Sequence, residues 1–432
     1  MLFIVGIVAF AFAILFSIAW HELGHMLPAK KFGVKVTQYM VGFGPTMWSK
    51  HKGETEYGVK WIPFGGYIRM IGMFPPGPDG TVRASSTGRL ATMIEEARSD
   101  AQAEVLTPED EKRTFYNLTV PKKMVVMLGG PVMNLILATI LFSIVMVGFG
   151  TPAQTLKVSE VSPCTPTVSS PTGQCVSGSV PSPAAGSGLE AGDVVTAYNG
   201  TQVSSWDDMS ALVRASSAGP ATITVDRNGQ PITLTAQIQV ANRPVVKDGQ
   251  PTSQVAPQGF FGMSPTRVLQ RQPITAVPGQ MWSLSIRTGE AVIAIPSKML
   301  GVAKAAFGNS PRDPNGPVGV VGVTRISGEV AAAKEVPVQW RVAQFLGLIA
   351  SLNLFLFLFN LIPLLPLDGG HVAGALWEGV RRQIAKLRHR PDPGPVDVAR
   401  LLPVAYVMAF FLVGMSALLL YADVVNPVRL RG

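Results

Sequence analysis

Apolar residues gather in four long runs: residues 2–20, 124–149, 342–367 and 401–421. The first holds Ser17 as its only polar side chain, and about 20 apolar residues is what a bilayer-crossing helix needs. The pattern predicts four transmembrane helices. It lacks a basic leading segment and a small-residue cleavage site, so the first run reads as a retained helix, not a signal peptide. Between the runs the period changes. Residues 35–41 and 57–62 alternate and predict strands, with Gly42-Phe43-Gly44-Pro45 and Pro63-Phe64-Gly65-Gly66-Tyr67 as turns. Such strands fit a small cytoplasmic sheet or a membrane-associated β region dipping beside a site, and the pattern leaves both open. Residues 75–80 read as a Pro/Gly linker and 87–104 as a polar, weakly helical segment. Residues 274–307 are apolar but broken by Arg287, Glu290, Pro296, Lys298 and Lys304, which predicts an amphipathic surface helix.

His21-Glu22-Leu23-Gly24-His25 closes the first run, where polar residues are least expected. On a continuing helix the two histidines share one face. That spacing lets both imidazoles hold one zinc ion, with Glu22 beside them as general base. A solvated helix carrying the motif by accident would not be apolar for the preceding turns. The third run ends in a second unusual constellation. Asn360-Leu361-Ile362-Pro363 leads to Leu367-Asp368-Gly369-Gly370-His371, where two prolines and a Gly pair break the helix. Asp368 is therefore a candidate third metal ligand, the bland alternative being a helix cap. In the second run, Gly129-Gly130-Pro131 allows close helix approach, and Asn134 reads as a structural hydrogen-bonding residue or as a neighbour of the site.

Charge sets the expected orientation. Hydrophobic residues make up 47% of the 432 and charged residues 15%, with a net charge of +9. The basic residues form no stripe interleaved with aromatics, so no nucleic-acid partner is expected. Lys30, Lys31 and Lys35, Lys122 and Lys123, and Arg381 to Arg390 flank the runs as the positive-inside rule expects. Four crossings then put both termini and the region after the second run outside, and His21, His25 and Asp368 near the cytoplasmic leaflet.

That outer region is rich in Thr, Ser, Val, Pro and Gly. It predicts a helix over 205–215 and a hairpin of 221–227 with 231–239 around Asn228-Gly229. Its run Ser182-Pro183-Ala184-Ala185, Gly188-Leu189, Gly192-Asp193, Asn199-Gly200 resembles a PDZ domain of bacterial envelope proteases, a module that captures peptides at a sheet edge. Cys164 and Cys175 lie here; outside the cytoplasm they can form a disulfide, the alternative being two free thiols.

Taken together, the chain resembles the site-2 protease family of intramembrane zinc metalloproteases, particularly bacterial members that release sigma factors. The resemblance rests on His-Glu-x-x-His, Phe43-Gly44-Pro45, Pro63 to Tyr67, Gly130-Pro131 with Asn134, the PDZ-like run, and Asn360-x-x-Pro363 with Leu367 to His371. It implies zinc held by His21, His25 and Asp368, with Glu22 as the catalytic base. It also implies that Gly44, Asn360 and Pro363 contact an unwound substrate. The implied partners are the lipid bilayer and single-span transmembrane proteins, anti-sigma factors, already cut once outside the cytoplasm. The departures are one recognisable PDZ domain where some relatives have two, and an insertion over 75–111.

The resulting expectation is a multi-pass α-helical cell-membrane protein. It has a first span at 1–30, a cytoplasmic loop with the β region at 31–123 and a second span at 124–149. A PDZ-like α+β domain at 150–267, an amphipathic connector at 268–341 and a third span at 342–367 follow. A cytoplasmic loop at 368–400, a fourth span at 401–424 and a tail at 425–432 complete it. Two rivals stand beside it. A membrane-bound PDZ scaffold with a dead metal site would tolerate Glu22→Gln, and an ion transporter would need ionisable residues on several spans.

Overall fold

A computed structural model describes residues 1–75, 107–165, 175, 180–247, 250–308, 312–313 and 316–428. The linker expected at 75–80 (beyond Pro75) and the polar segment at 87–104 lie outside them. The described chain divides into two units, 1–149 with 272–432 and 150–271. The second begins where the PDZ-like domain is expected and runs four residues past its expected end at 267.

The first unit is built around α1 (Leu2–Lys31). At 1.5 Å per residue its 30 residues extend about 45 Å. Lys30 and Lys31 sit in the last turn, where cations complement the helix dipole. The chain then forms β1 (Val36–Lys52) and β2 (Thr55–Met70), far longer strands than the alternating stretches predict. Their pairing doubles back: Met40 faces Tyr67 on one side and Gly58 on the other. The bends occur near Gly42 (φ +93°) and Gly65 (φ +90°), conformations that side chains resist. The expected alternating residues supply the middle of this sheet, and the glycine turns extend it.

After a short α2 (Pro108–Lys112), α3 (Val120–Ser143) continues through a wider π turn to Phe149. It crosses α1 at bare backbone: a Cβ on Gly24 would lie 2.3 Å from the Gly129 oxygen, and one on Gly129 would lie 2.0 Å from the Gly24 oxygen. Only glycine permits that approach.

The second unit starts with β3 (Thr151–Val161), α4 (Pro183–Ser187), β4 (Val194–Tyr198), β5 (Thr201–Gln202) and α5 (Trp206–Ala215). It continues with β6 (Gly219–Arg227), β7 (Gln230–Lys247), β8 (Gln250–Phe260) and β9 (Met263–Gln270). These make a seven-stranded sheet in the order β8-β7-β6-β4-β3-β9, with β5 on β4. Alternate residues such as Val195, Ile223, Val225, Ala236 and Ile238 turn inward on Met209 and Val213 of α5. Asn228 (φ +54°) and Gly229 (φ +84°) form the two-residue turn between Arg227 and Gln230, as Asn-Gly hairpins do. Ser205 caps α5 by accepting from the Asp208 N–H. Asp193 is buried and takes two bonds from Arg227, whose guanidinium holds its carboxyl below the usual carboxylate range. Cys164 and Cys175 are joined, with 5.8 Å between their Cα atoms.

The chain returns to the first unit through α6 (Val277–Ile293), α7 (Ile295–Phe307) and α8 (Val320–Ala332). Two helices, parted at Ala294 and Pro296, thus stand where one amphipathic helix was expected over 274–307, and α8 is a further helix beyond that stretch. α8 packs on the start of α1, where Ser327 donates to the Gly6 carbonyl. α9 (Val338–Asn360) follows, then α10 (Asp368–Leu387) and α11 (Leu402–Val425). The third apolar run continues to Leu367, but its helix stops at Asn360. Pro363 lacks an N–H, and its ring would strike the carbonyl of residue 359, so the last turn tightens and ends. Asn353 ties α9 to α1 by donating to Ser17, both fully buried.

Among the described residues, four helices are long and apolar enough to cross a membrane: Leu2–Lys31, Val120–Phe149, Val338–Asn360 and Val398–Val425. Two buried ion pairs pin their ends. Arg312 meets Asp423 at 2.8 Å, and Lys123 meets Glu378 at 2.7 Å, with Arg382 also on Glu378. Removing one partner of a buried pair strands the other's charge. Lys123→Met leaves Glu378 with Arg382 alone, which is about a third exposed, so it should lower stability by up to about 3 kcal/mol in thermal unfolding in detergent, and Lys123→Met with Glu378→Gln should recover part of it.

Candidate active site

His21 and His25 project from the same face of α1, one turn apart, towards the first residue of α10. Their Nε2 atoms are 3.2 Å apart. Asp368 Oδ2 lies 3.2 Å from His21 Nε2 and 3.4 Å from His25 Nε2. The three atoms form a near-equilateral triangle. Donors about 2.0–2.1 Å from a tetrahedral zinc stand about 3.3 Å from one another, so the triangle fits that ion. Asp368 Oδ2 is buried with no hydrogen-bond partner, as suits an atom facing a cation. The cap alternative for Asp368 is not what is observed: the N-cap of α10 is Leu367, and Asp368 is the first residue inside.

α3 fixes both rings from behind. His25 Nδ1 is 2.8 Å from the Val126 carbonyl, and His21 Nδ1 is 3.1 Å from Asn134 Nδ2. A carbonyl only accepts, so His25 Nδ1 carries the proton and Nε2 presents its lone pair. Gly130 makes room for them: a Cβ there would lie 2.2 Å from His25 Nε2.

Glu22 is 9% exposed and turns to a cavity of about 380 Å³. Its lining includes His21, His25, Asn134, Asn360, Asp368 and His371, with Gly65 to Ile68 of β2. The hairpin thus lies beside the site: a Cβ on Gly66 would meet Glu22 Cγ at 3.1 Å, and Tyr39 donates to the Ala19 carbonyl. Asn360 reaches the cavity from the end of α9. Gly44 and Pro363 are not among its lining residues. Gly44 sits on the exposed stretch of β1, and Pro363 in the turn between α9 and α10.

The model of peptidase family M50 matches residues 9–391. The chain is 36% identical to the zinc metalloprotease Rip1 of Mycobacterium tuberculosis, over the whole of both chains. The chain belongs to peptidase family M50, the site-2 proteases. Rip1 of Mycolicibacterium smegmatis is 34% identical over the whole of both chains. The metalloprotease MmpA of Caulobacter vibrioides is 26% identical over 88% of each.

Asn134, which the sequence left open between a structural residue and a neighbour of the site, and His371, to which it gave no role, both line the cavity. Asn134 stood out as an amide in an apolar run; His371 stood out only as the end of Leu-Asp-Gly-Gly-His. Nothing local shows that α3 crosses α1 at the depth that brings Asn134 to His21.

Proposed function

We propose that this zinc metalloendopeptidase hydrolyses peptide bonds within the transmembrane segments of single-span membrane proteins. The observation that carries the reading is the His21–His25–Asp368 triangle with Glu22 on the same cavity, at the end of an apolar helix. His21 and His25 would hold zinc through Nε2 and Asp368 through Oδ2. When bound, zinc supplies a Lewis acid and a water acidic enough to lose its proton near neutrality. Glu22, on the same cavity, would hold a proton on its carboxylate and hand it to the leaving amine. A helical substrate hides its carbonyls in its own hydrogen bonds, so it must be held unwound. Asn360 offers an amide to such a strand, and residues 65–68 can pair with it as an added sheet edge. Gly44 and Pro363, given a substrate role by the resemblance, lie outside the cavity lining, on the exposed hairpin stretch and in the turn after α9.

Substrates already trimmed outside the cytoplasm, anti-sigma factors among them, suit this reading. The α+β unit carries the PDZ-like run, and such a module recognises a freshly cut end by strand addition. Basic residues after α1 and along α10 support a site near the cytoplasmic leaflet and a PDZ-like domain outside.

Metal content tests the ligand set. His21→Ala, His25→Ala and Asp368→Ala should each fall from about one zinc per chain towards none. Full zinc in Asp368→Ala would remove that ligand. Labelling tests the orientation: in a chain whose two native cysteines are replaced, Ser217→Cys should react with an impermeant thiol reagent in intact cells and Gln383→Cys should not. The reverse pattern would invert the topology.

A further inference from the structure

Both imidazoles turn Nδ1 towards α3, but they meet different groups there. His25 faces a carbonyl, which settles its tautomer. His21 faces the carboxamide of Asn134, which is fully buried and whose Oδ1 has no hydrogen-bond partner. A carboxamide carries a donor and an acceptor in nearly the same places, and a half-turn about its last bond exchanges them. The two settings give opposite tautomers of His21. With Nδ2 towards the ring, Nδ1 must accept, and the ring proton sits on Nε2. That atom is the one 3.2 Å from both His25 Nε2 and Asp368 Oδ2, so its lone pair would be lost to a metal. With Oδ1 towards the ring, Nδ1 carries the proton and Nε2 is free. One end of the amide lacks a partner in either setting, so the ring decides between them. A cation on Nε2 sharpens the Nδ1–H donor and favours the acceptor setting.

We propose that Asn134 is a positioning residue that accepts a hydrogen bond from His21 Nδ1–H through Oδ1, and so fixes His21 in the tautomer that binds zinc through Nε2. This rests on the reading of His21 as a ligand. Asn134 and the Val126 carbonyl then act as a matched pair on one helix, each holding one ring by its outer nitrogen. The Gly24–Gly129 crossing sets the depth at which both meet their partners.

The test measures zinc affinity of the purified full chain in detergent, by competition with a chelator of known affinity. Asn134→Leu keeps the size and removes both polar ends; it should bind zinc about 10–100-fold more weakly. Asn134→Asp, ionised beside the His21 Nδ1–H, can only accept, and should stay within a few-fold of the native chain. A donor role, or a purely structural one, predicts that the buried carboxylate does at least as much harm as leucine. Native affinity in Asn134→Leu, or an Asp variant as weak as the Leu variant, would overturn the proposal. Should Asn134→Leu fail to fold by thermal unfolding, the Asp variant decides alone: native-like affinity supports the acceptor role, and a large loss overturns it. His21→Ala serves as the reference. Native zinc affinity in that variant would take down the ligand reading itself, a result distinct from any at Asn134.

Discussion

Glu22→Gln should hold zinc at the native stoichiometry and cleave a single-span reporter at least about 10²–10⁴-fold more slowly. The side chain is on the cavity, one residue from His21, but it lies outside the triangle of ligand atoms. Glutamine has nearly the same shape and keeps a hydrogen-bonding end, so packing against Gly66 should survive. What it loses is a site that takes up a proton and gives it back. The two measurements separate the roles: metal content reports the ligands, and cleavage in membranes reports the base. A variant that cuts at the native rate would sink the mechanism and favour the inactive-scaffold rival. A variant that loses zinc as well would place Glu22 in the metal-binding set.

The legible parts of the fold were those written locally. Apolar runs and their charged flanks located four helices within a few residues, because a long apolar stretch has few other stable forms. His21 and His25 were legible because helical spacing alone puts them on one face. Asp368 was legible as a carboxylate at a helix break, although 343 residues separate it from His25 in the chain. The end of α9 was misplaced because hydropathy runs on to Leu367 while backbone sterics at Pro363 stop the helix sooner. α8 was missed because its Val, Gly and Ser positions become meaningful only against Gly6 of α1. The hairpin's length was missed because its register shifts repeatedly, so the alternation that marks a strand breaks at each bend. Asn134 belongs with these non-local features. Its residue type was suggestive, and only the helix crossing says what it touches.

That crossing also yields the second large effect, at a residue with no chemistry of its own. Gly130 lies in the middle of α3, and alanine in a helix interior normally gains about 1 kcal/mol over glycine. Propensity alone would make Gly130→Ala stabilising, less what Pro131 takes back by crowding a Cβ on the residue before it. The geometry predicts loss of the metal instead. A Cβ there would stand 2.2 Å from His25 Nε2 and 2.7 Å from His21 Nε2, closer than real contacts come, and these are the two atoms proposed to hold the ion. The rings can yield only by leaving the Val126 carbonyl and Asn134, which breaks the triangle with Asp368. The helix itself need not move, so the chain should still fold. Gly347→Ala is the control for alanine in a helix interior, since a Cβ there meets nothing within 4 Å and no proline follows it. The expected result is near-zero zinc and no cleavage in Gly130→Ala, with native zinc and unimpaired cleavage in Gly347→Ala, both measured on chains of similar thermal stability. A Gly130→Ala chain that retains one zinc and cuts its substrate would show that the imidazoles sit elsewhere, and the candidate site would have to be redrawn.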